Sequence, residues 1–131
     1  MKISEFKTNT DAEKEGVWIE VGAGLRLRVA RLGNPSYEAY IRKHGRKHLI
    51  QLKTGTLTDD KEVLELTRRA MARHVLVDWE NLQDDDGINV EYSVERAEEY
   101  LAIKDFMELV FKLSGERELF KQQRDEEDLG N

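Results

Sequence analysis

The longest stretch with helical spacing of hydrophobic residues lies in the middle of the chain, over residues 59–79. At about 100° per residue, Val63 and Ala70 fall within about 20° of each other on a helical wheel. Near the end of the stretch, Leu76 and Trp79 cover the side that these residues leave open. A helix that is apolar all round is buried. The pattern therefore predicts a central helix over residues 59–79 that is enclosed at its C-terminal end.

Two shorter stretches, residues 17–21 and 25–31, have the alternation of a β-strand and flank a Gly-Ala-Gly turn. This arrangement predicts a β-hairpin. In the second strand Leu25, Leu27 and Val29 share one face, and arginines occupy the other. One face is therefore expected to pack on the helices and the other to meet water.

Further elements follow from capping and turn residues. Asn34 and Pro35 suit the start of a helix that runs to about His44. For residues 46–53 the pattern leaves open a short helix or a distorted continuation. Residues 88–92 alternate like a short strand. Two helices are expected after it, over 94–103 and 106–120, the second kinked near Gly115.

Together these elements predict an α+β fold, mostly α, in which the N-terminal hairpin packs on a bundle of four to five helices around the central helix. Residues 1–16 are polar and predict a partly ordered arm, with Ile3 and Phe6 as the side chains through which it could pack. Residues 17–124 are expected to form a single globular domain, and residues 125–131 an acidic flexible tail. A chain of 131 residues is long enough to bury a modest core.

The net charge of −6 conceals a strong segregation along the chain. Residues 26–53 carry eight basic groups against Glu38, a net of +7, whereas residues 84–131 carry fifteen acids against six bases, a net of −9. Copies of such a chain can attract each other head to tail, so self-association is expected. The alternative is that both blocks are solvated faces of one monomer. The chain lacks cysteine, a long apolar run and a signal-peptide pattern, so no disulfide and no membrane partner is expected.

The candidate chemistry is sparse. His44 and His48 have metal-ligand spacing, but the cations around them favour solvated histidines. His74 falls in the apolar stripe and is expected to be a buried histidine with a hydrogen-bond partner. Residues 84–87, Asp-Asp-Asp-Gly, lack the ligand positions of a calcium loop and predict a plain turn. We therefore predict no catalytic, cofactor-binding or metal-binding residue, and the sequence disfavours an enzyme.

Partner binding is better supported by the pattern. In the last helix Met107 and Phe111 lie away from the main apolar stripe, which predicts an exposed apolar patch for another protein's helix. The alternative is that the N-terminal arm covers both. A basic segment offers a second contact, through Arg42, Lys43, Arg46 and Lys47. Nucleic-acid binding by this segment is a weaker alternative because the pI is about 5.2.

Four motifs occur in an order that resembles the tail assembly chaperones of phages with long non-contractile tails. They are GVWIEV at 16–21, LRVARLGNP at 27–35, DWENL at 78–82 with an acid–glycine turn, and EYS at 91–93 opening a helix. Val94 and Arg96 stand where proline and asparagine are expected in many relatives. The departure touches only the start of that helix.

The resemblance implies a non-enzymatic protein of the host bacterial cytoplasm that is absent from the mature virion. It implies binding to the tape measure protein, which the chaperone keeps soluble, and recruitment of the tail-tube protein by a longer, frameshifted product. Leu129-Gly130-Asn131 can be encoded with the slippery heptamer G GGA AAY. The competing interpretation is a structural tail completion or tube-joining subunit that remains in the particle.

Overall fold

The computed structural model describes residues 1–45 and 60–121, and shows the mixed α and β content that the sequence predicts. A 3-10 helix at Ile3–Phe6 precedes the other elements. In chain order these are α1 (Thr10–Glu15), β1 (Val17–Gly22), β2 (Leu25–Val29), α2 (Pro35–His44), α3 (Lys61–His74), β3 (Leu76–Glu80), α4 (Val94–Tyr100) and α5 (Lys104–Ser114). Residues 46–53, whose conformation the sequence left open, lie outside the described residues.

The predicted hairpin is confirmed, and it belongs to a three-stranded antiparallel sheet with β2 in the centre. Ala23 and Gly24 form the two-residue turn with φ values of 53° and 80°. Positive φ at both positions gives a turn whose twist matches that of the flanking strands. Leu27 and Val29 are fully buried on one face of β2, as predicted. On the other face Arg26 lies 4.9 Å from the ring of Trp18 and 2.9 Å from a carboxylate oxygen of Glu80.

The prediction of one helix over residues 59–79 is wrong for residues 75–79. Helix α3 ends at His74, and residues 76–80 form β3, which pairs with β2. The aliphatic and aromatic residues that made the segment apolar all round are also those that favour strands. Both Leu76 and Trp79 are buried, so the segment is enclosed, but as a strand of the sheet.

Hydrogen bonds from distant residues fix the point where α3 gives way to β3. The Asn34 amide nitrogen Nδ2 donates to the carbonyl of His74 over 2.8 Å, and the backbone N–H of Ala30 donates to the carbonyl of Val75 over 2.8 Å. The Tyr92 hydroxyl lies 3.1 Å from the carbonyl of Ala72 and 2.8 Å from that of Leu76. Asn34 and Tyr92 thus supply partners for the His74 and Ala72 carbonyls, which the end of α3 leaves open, and the other two bonds fix the start of β3.

The C-terminal half differs from the expectations in detail. Residues 88–92 form no regular strand, and the pairing there is one isolated bridge between Gln83 and Asn89. Helix α4 ends at Tyr100, three residues earlier than expected. The predicted interruption near Gly115 is confirmed, since α5 ends at Ser114 and residues 117–121 are helical again.

The N-terminal arm carries the 3-10 helix and α1. Ala12 of α1 is buried in a small cluster with Val17 and Phe120, so the arm packs through Ala12. The expected packing of Ile3 is wrong, because this side chain is 79% exposed, whereas Phe6 is 47% exposed and its ring lies 4.9 Å from the Arg117 guanidinium. The predicted domain boundaries remain predictions, and the tail at 125–131 lies outside the described residues.

Candidate protein-binding surfaces

Three aromatic rings next to the sheet support the segment that follows β3. The Trp79 ring stacks on Tyr100 with 5.7 Å between centroids and meets Tyr92 edge-on at 4.9 Å. Its indole Nε1–H donates to the carbonyl of Val90 over 2.8 Å. Burial, together with the nearby Asp78 and Glu95 carboxylates, raises the pKa of Tyr92 to about 12, so its hydroxyl keeps its proton at neutral pH.

The segment between Leu82 and Val90 folds back on itself around the acid–glycine turn. The Val90 N–H donates to the carbonyl of Leu82 over 2.7 Å. One carboxylate oxygen of Asp84 accepts from the backbone N–H groups of Asp86 and Ile88 over 2.9 and 3.0 Å. The predicted turn is therefore confirmed. These two hydrogen bonds tie the Asp84 carboxylate to the backbone of this loop.

An open groove of about 380 Å³ lies between this loop and the junction of α4 and α5. Its apolar lining comes from Leu82, Tyr100, Ile103 and Phe106, and its acidic edge from Asp84 and Asp85. Ile103, the N-cap residue of α5, is 59% exposed. A concave, mainly apolar surface with a few polar groups is typical of a binding site. We refer to it as the acidic groove.

The sequence singled out the motif that ends at Leu82 and the turn at residues 84–87, but not the helical residues that complete the groove. Tyr100 and Ile103 fell within the helix predicted over residues 94–103, with Ile103 at its end. A signal was nevertheless present, because Ile103 directly precedes Lys104-Asp105, where the sequence indicated a helix break. A large aliphatic residue at a break has no helix face on which to pack.

The predicted apolar patch of the last helix is corrected by the structure. Met107 is only 7% exposed and packs in the main core with Val110. The buried face of α5 is centred on Met107, Val110 and Ser114, so it includes a residue that the apolar spacing had placed outside the main stripe. Phe111 flanks this face and is partly buried. The partner-binding role of both residues stays untested.

Arg42 and Lys43 are exposed in the last turn of α2, whereas Arg46 and Lys47 lie outside the described residues. In the same helix, the Tyr40 ring lies next to three other side chains. Its ring centroid lies 4.4 Å from that of His44 and 5.7 Å from that of His74, and the Arg73 guanidinium lies 5.6 Å from the ring. We call this group the basic platform, defined by Tyr40, Arg42, Lys43, His44, Arg73 and His74.

His74 is half-buried, and its environment keeps it neutral at physiological pH. Burial and the adjacent Arg73 guanidinium lower the pKa of its imidazole. His48 lies outside the described residues, so the pair with His44 is not defined. Within residues 1–45 and 60–121, no three acidic or histidine side chains group in a way that would hold a metal ion. No helix in the same ranges is long and apolar enough to cross a membrane.

Comparison with protein families places the chain among phage-derived proteins. Residues 32–131 match the family described as YdaY prophage protein. The match covers more than half of the chain, which therefore belongs to this family. It spans α2, α3, β3, α4 and α5, and thus every residue of the acidic groove. No match was found among curated proteins or among solved structures.

Proposed function

We propose that this phage-derived protein is a tail assembly chaperone that binds the tape measure protein, keeps it soluble and promotes assembly of the tail tube. One observation carries the proposal. The DWENL motif, the acid–glycine turn and Tyr92, on which the resemblance rests, come together as the wall and the support of the acidic groove. The motifs thus form a surface suited to binding another protein.

The proposed client surface is the basic platform. Tyrosine and arginine are enriched among the residues that contribute most to protein interfaces. Tyr40 and Arg73 lie in contact there, and the last turn of α2 adds the exposed side chains of Arg42 and Lys43. Arg42 interacts with Glu38 at 3.8 Å across one turn of α2, a surface pair that contributes little and leaves the guanidinium available. An acidic stretch of a long helix is the client chemistry that fits this surface.

A chaperone of this kind has to cover a long helical protein, so many weak contacts serve it better than one strong contact. Each copy that binds the client stabilises the soluble state by mass action. Neighbouring copies that also touch each other gain from a high effective concentration along the client. The protein therefore needs a client surface and a surface for its own copies, and the basic platform and the acidic groove are two candidates.

The test is co-expression with the tape measure protein of the same prophage, followed by affinity capture and native mass measurement. The expected result is a soluble complex with several copies of this chain per tape measure protein. Reversing two charges of the platform, with Arg42→Glu and Lys43→Glu, should reduce capture at least about tenfold, or about 1.4 kcal/mol. Lys14→Glu with Lys112→Glu is the matched control, because it makes the same charge change at exposed sites elsewhere.

Analysis of purified phage particles tests the competing interpretation. If the tape measure protein stays insoluble and mass spectrometry finds this chain in mature virions, the protein is a structural completion or tube-joining subunit and the chaperone proposal fails. A longer product that ends in the −1 frame would support recruitment of the tail-tube protein. A leucine codon at position 129 that does not end in G would remove the slip site.

A further inference from the structure

Exposed large hydrophobic side chains in the described part of the chain form two groups. One comprises Met1, Ile3 and Phe6 at the N-terminal end, exposed by 98%, 79% and 47%. The other comprises Ile88 and Ile103, exposed by 64% and 59%, in the loop and at the helix junction that build the acidic groove. Single exposed apolar residues are ordinary, so the surroundings of each group decide whether it is a contact site.

The N-terminal cluster belongs to a formed element. Backbone N–H groups of Glu5 and Lys7 donate to the carbonyls of Lys2 and Ser4 over 3.0 and 3.2 Å and close the 3-10 turn. Residues after α5 hold this turn in place. Arg117 lies 4.9 Å from the Phe6 ring, and the ammonium group of Lys121 donates to the Glu5 carbonyl. The turn therefore presents Ile3 to the solvent in an ordered conformation.

The size and the charge of the acidic groove suit this element. A volume of about 380 Å³ is near the lower end of the range for binding pockets, about 300–1,000 Å³, and has room for a few side chains rather than a long helix. Asp84 and Asp85 line it, and residues 82–106 carry eight acids against two bases. Lys2 and Lys7 flank the apolar side chains of the N-terminal turn. The two surfaces are complementary in both hydrophobicity and charge.

The two surfaces lie towards opposite ends of α5. Phe106, in its first turn, lines the groove, whereas residues 117 and 121, beyond its last turn, contact the N-terminal turn. Eleven residues of α-helix span about 16 Å, so the turn of a chain does not reach its own groove while these contacts hold.

We infer that residues 1–7 of one copy dock in the acidic groove of a second copy, with Ile3 inserted beside Ile103 and Lys2 or Lys7 facing Asp85. The contact is head-to-tail, so each copy offers one turn and one groove, and copies add in series or close into a ring. The inference deepens the proposed function by naming the occupant of the groove. It is tested on this chain alone, so the two proposals can fail independently.

The experiment is sedimentation velocity of the full chain over an approximately hundredfold range of concentration, at low and at high salt. Self-association that grows with concentration is expected, and it should weaken in high salt as the charges are screened. Ile3→Asp and Ile103→Asp should each weaken it about tenfold to a hundredfold, as expected for the loss of one buried aliphatic side chain. Both sites are exposed, and an aspartate at position 103 is a favourable N-cap for α5, so both variants are expected to fold.

Mixing the two variants gives the sharpest result. The Ile3→Asp chain keeps its groove and the Ile103→Asp chain keeps its turn, so an equimolar mixture should form dimers with one copy of each and nothing larger. Ala39→Asp adds the same charge at an exposed position of α2 and should associate like the wild type.

Three results would overturn the inference: a wild-type chain that stays monomeric throughout, an Ile3→Asp chain that associates unchanged, or a mixture that stays monomeric. Capture of the tape measure protein that is lost in Ile103→Asp, while the wild-type chain alone is monomeric, would assign the groove to the client instead.

Discussion

Replacement of Asn34 should reveal how much one buried amide, which links α2 to the end of α3, contributes to the free energy of unfolding. The side chain is 4% exposed. Its oxygen accepts from the N–H groups of Ser36 and Tyr37, both over 3.1 Å, and its nitrogen donates to the carbonyls of Arg31 and His74, both over 2.8 Å. Asn34→Ala removes an N-cap that contributes about 1 kcal/mol. It also deprives the His74 carbonyl of this donor, at a further cost of about 1–2 kcal/mol.

Two further variants at this position separate these contributions. Asn34→Ser keeps an N-cap oxygen but loses the amide donor, so it should recover about 1 kcal/mol relative to alanine. Asn34→Asp also keeps the cap, but places a buried carboxylate beside two carbonyl oxygens. Its loss of unfolding free energy relative to the wild type should become smaller at acidic pH, where that carboxylate is protonated. The assay is urea unfolding followed by circular dichroism. An alanine variant that loses less than about 0.5 kcal/mol would refute the connection between α2 and α3.

Other replacements test separate parts of the fold. Gly16→Ala should cost about 1–3 kcal/mol more than Gly33→Ala in urea unfolding. Both positions have positive φ, but a Cβ at position 16 would lie 3.0 Å from the Val77 side chain, whereas one at position 33 meets nothing within 4 Å. Burial raises the pKa of Tyr37 to about 12 against about 10 unfolded, so its stabilising contribution is full below pH 10 and is lost between pH 10 and 12. Over that interval the wild type should lose about 3 kcal/mol more stability than Tyr37→Phe, and equal losses would contradict the assignment. Trp79→Phe leaves the Val90 carbonyl without its indole donor and should speed hydrogen exchange in residues 82–90, with exchange in α2 as the unchanged reference.

Local signals predicted the elements that local chemistry determines. The Gly-Ala-Gly turn, the Asn34 cap with Pro35 and the break at Gly115 all act within a few residues, and each was found where the sequence indicated. The end of α3 is different, because Ala30, Asn34 and Tyr92 supply its partners from far along the chain. Residues 75–79 suit a helix or a strand, and pairing with β2 selects the strand. Periodicity carries no information about that pairing.

The same distinction applies to the surfaces. Charge segregation pointed to residues 42 and 43, which are exposed in α2. The prediction of an exposed apolar patch at Met107 was wrong because α5 is apolar over more than half of its circumference. Spacing alone could not identify which part of the helix faces the core. The acidic groove arises where a loop meets the junction of two helices. Trp79 and Tyr100, 21 residues apart, stack next to this junction, and local spacing does not predict such a contact.

Client binding and self-association should be separable if the two surfaces serve different partners. The chain with Arg42→Glu and Lys43→Glu retains its N-terminal turn and groove, so it should self-associate like the wild type while capturing little tape measure protein. Ile103→Asp retains the basic platform, so it should still bind the client, but with fewer copies per complex because neighbours no longer reinforce one another. Native mass measurement of both complexes gives the copy number directly. If each variant lost both activities to the same extent, a single surface would serve both partners. A chaperone that coats its client through serial contacts requires the opposite, because a groove filled by a neighbouring copy is closed to the client.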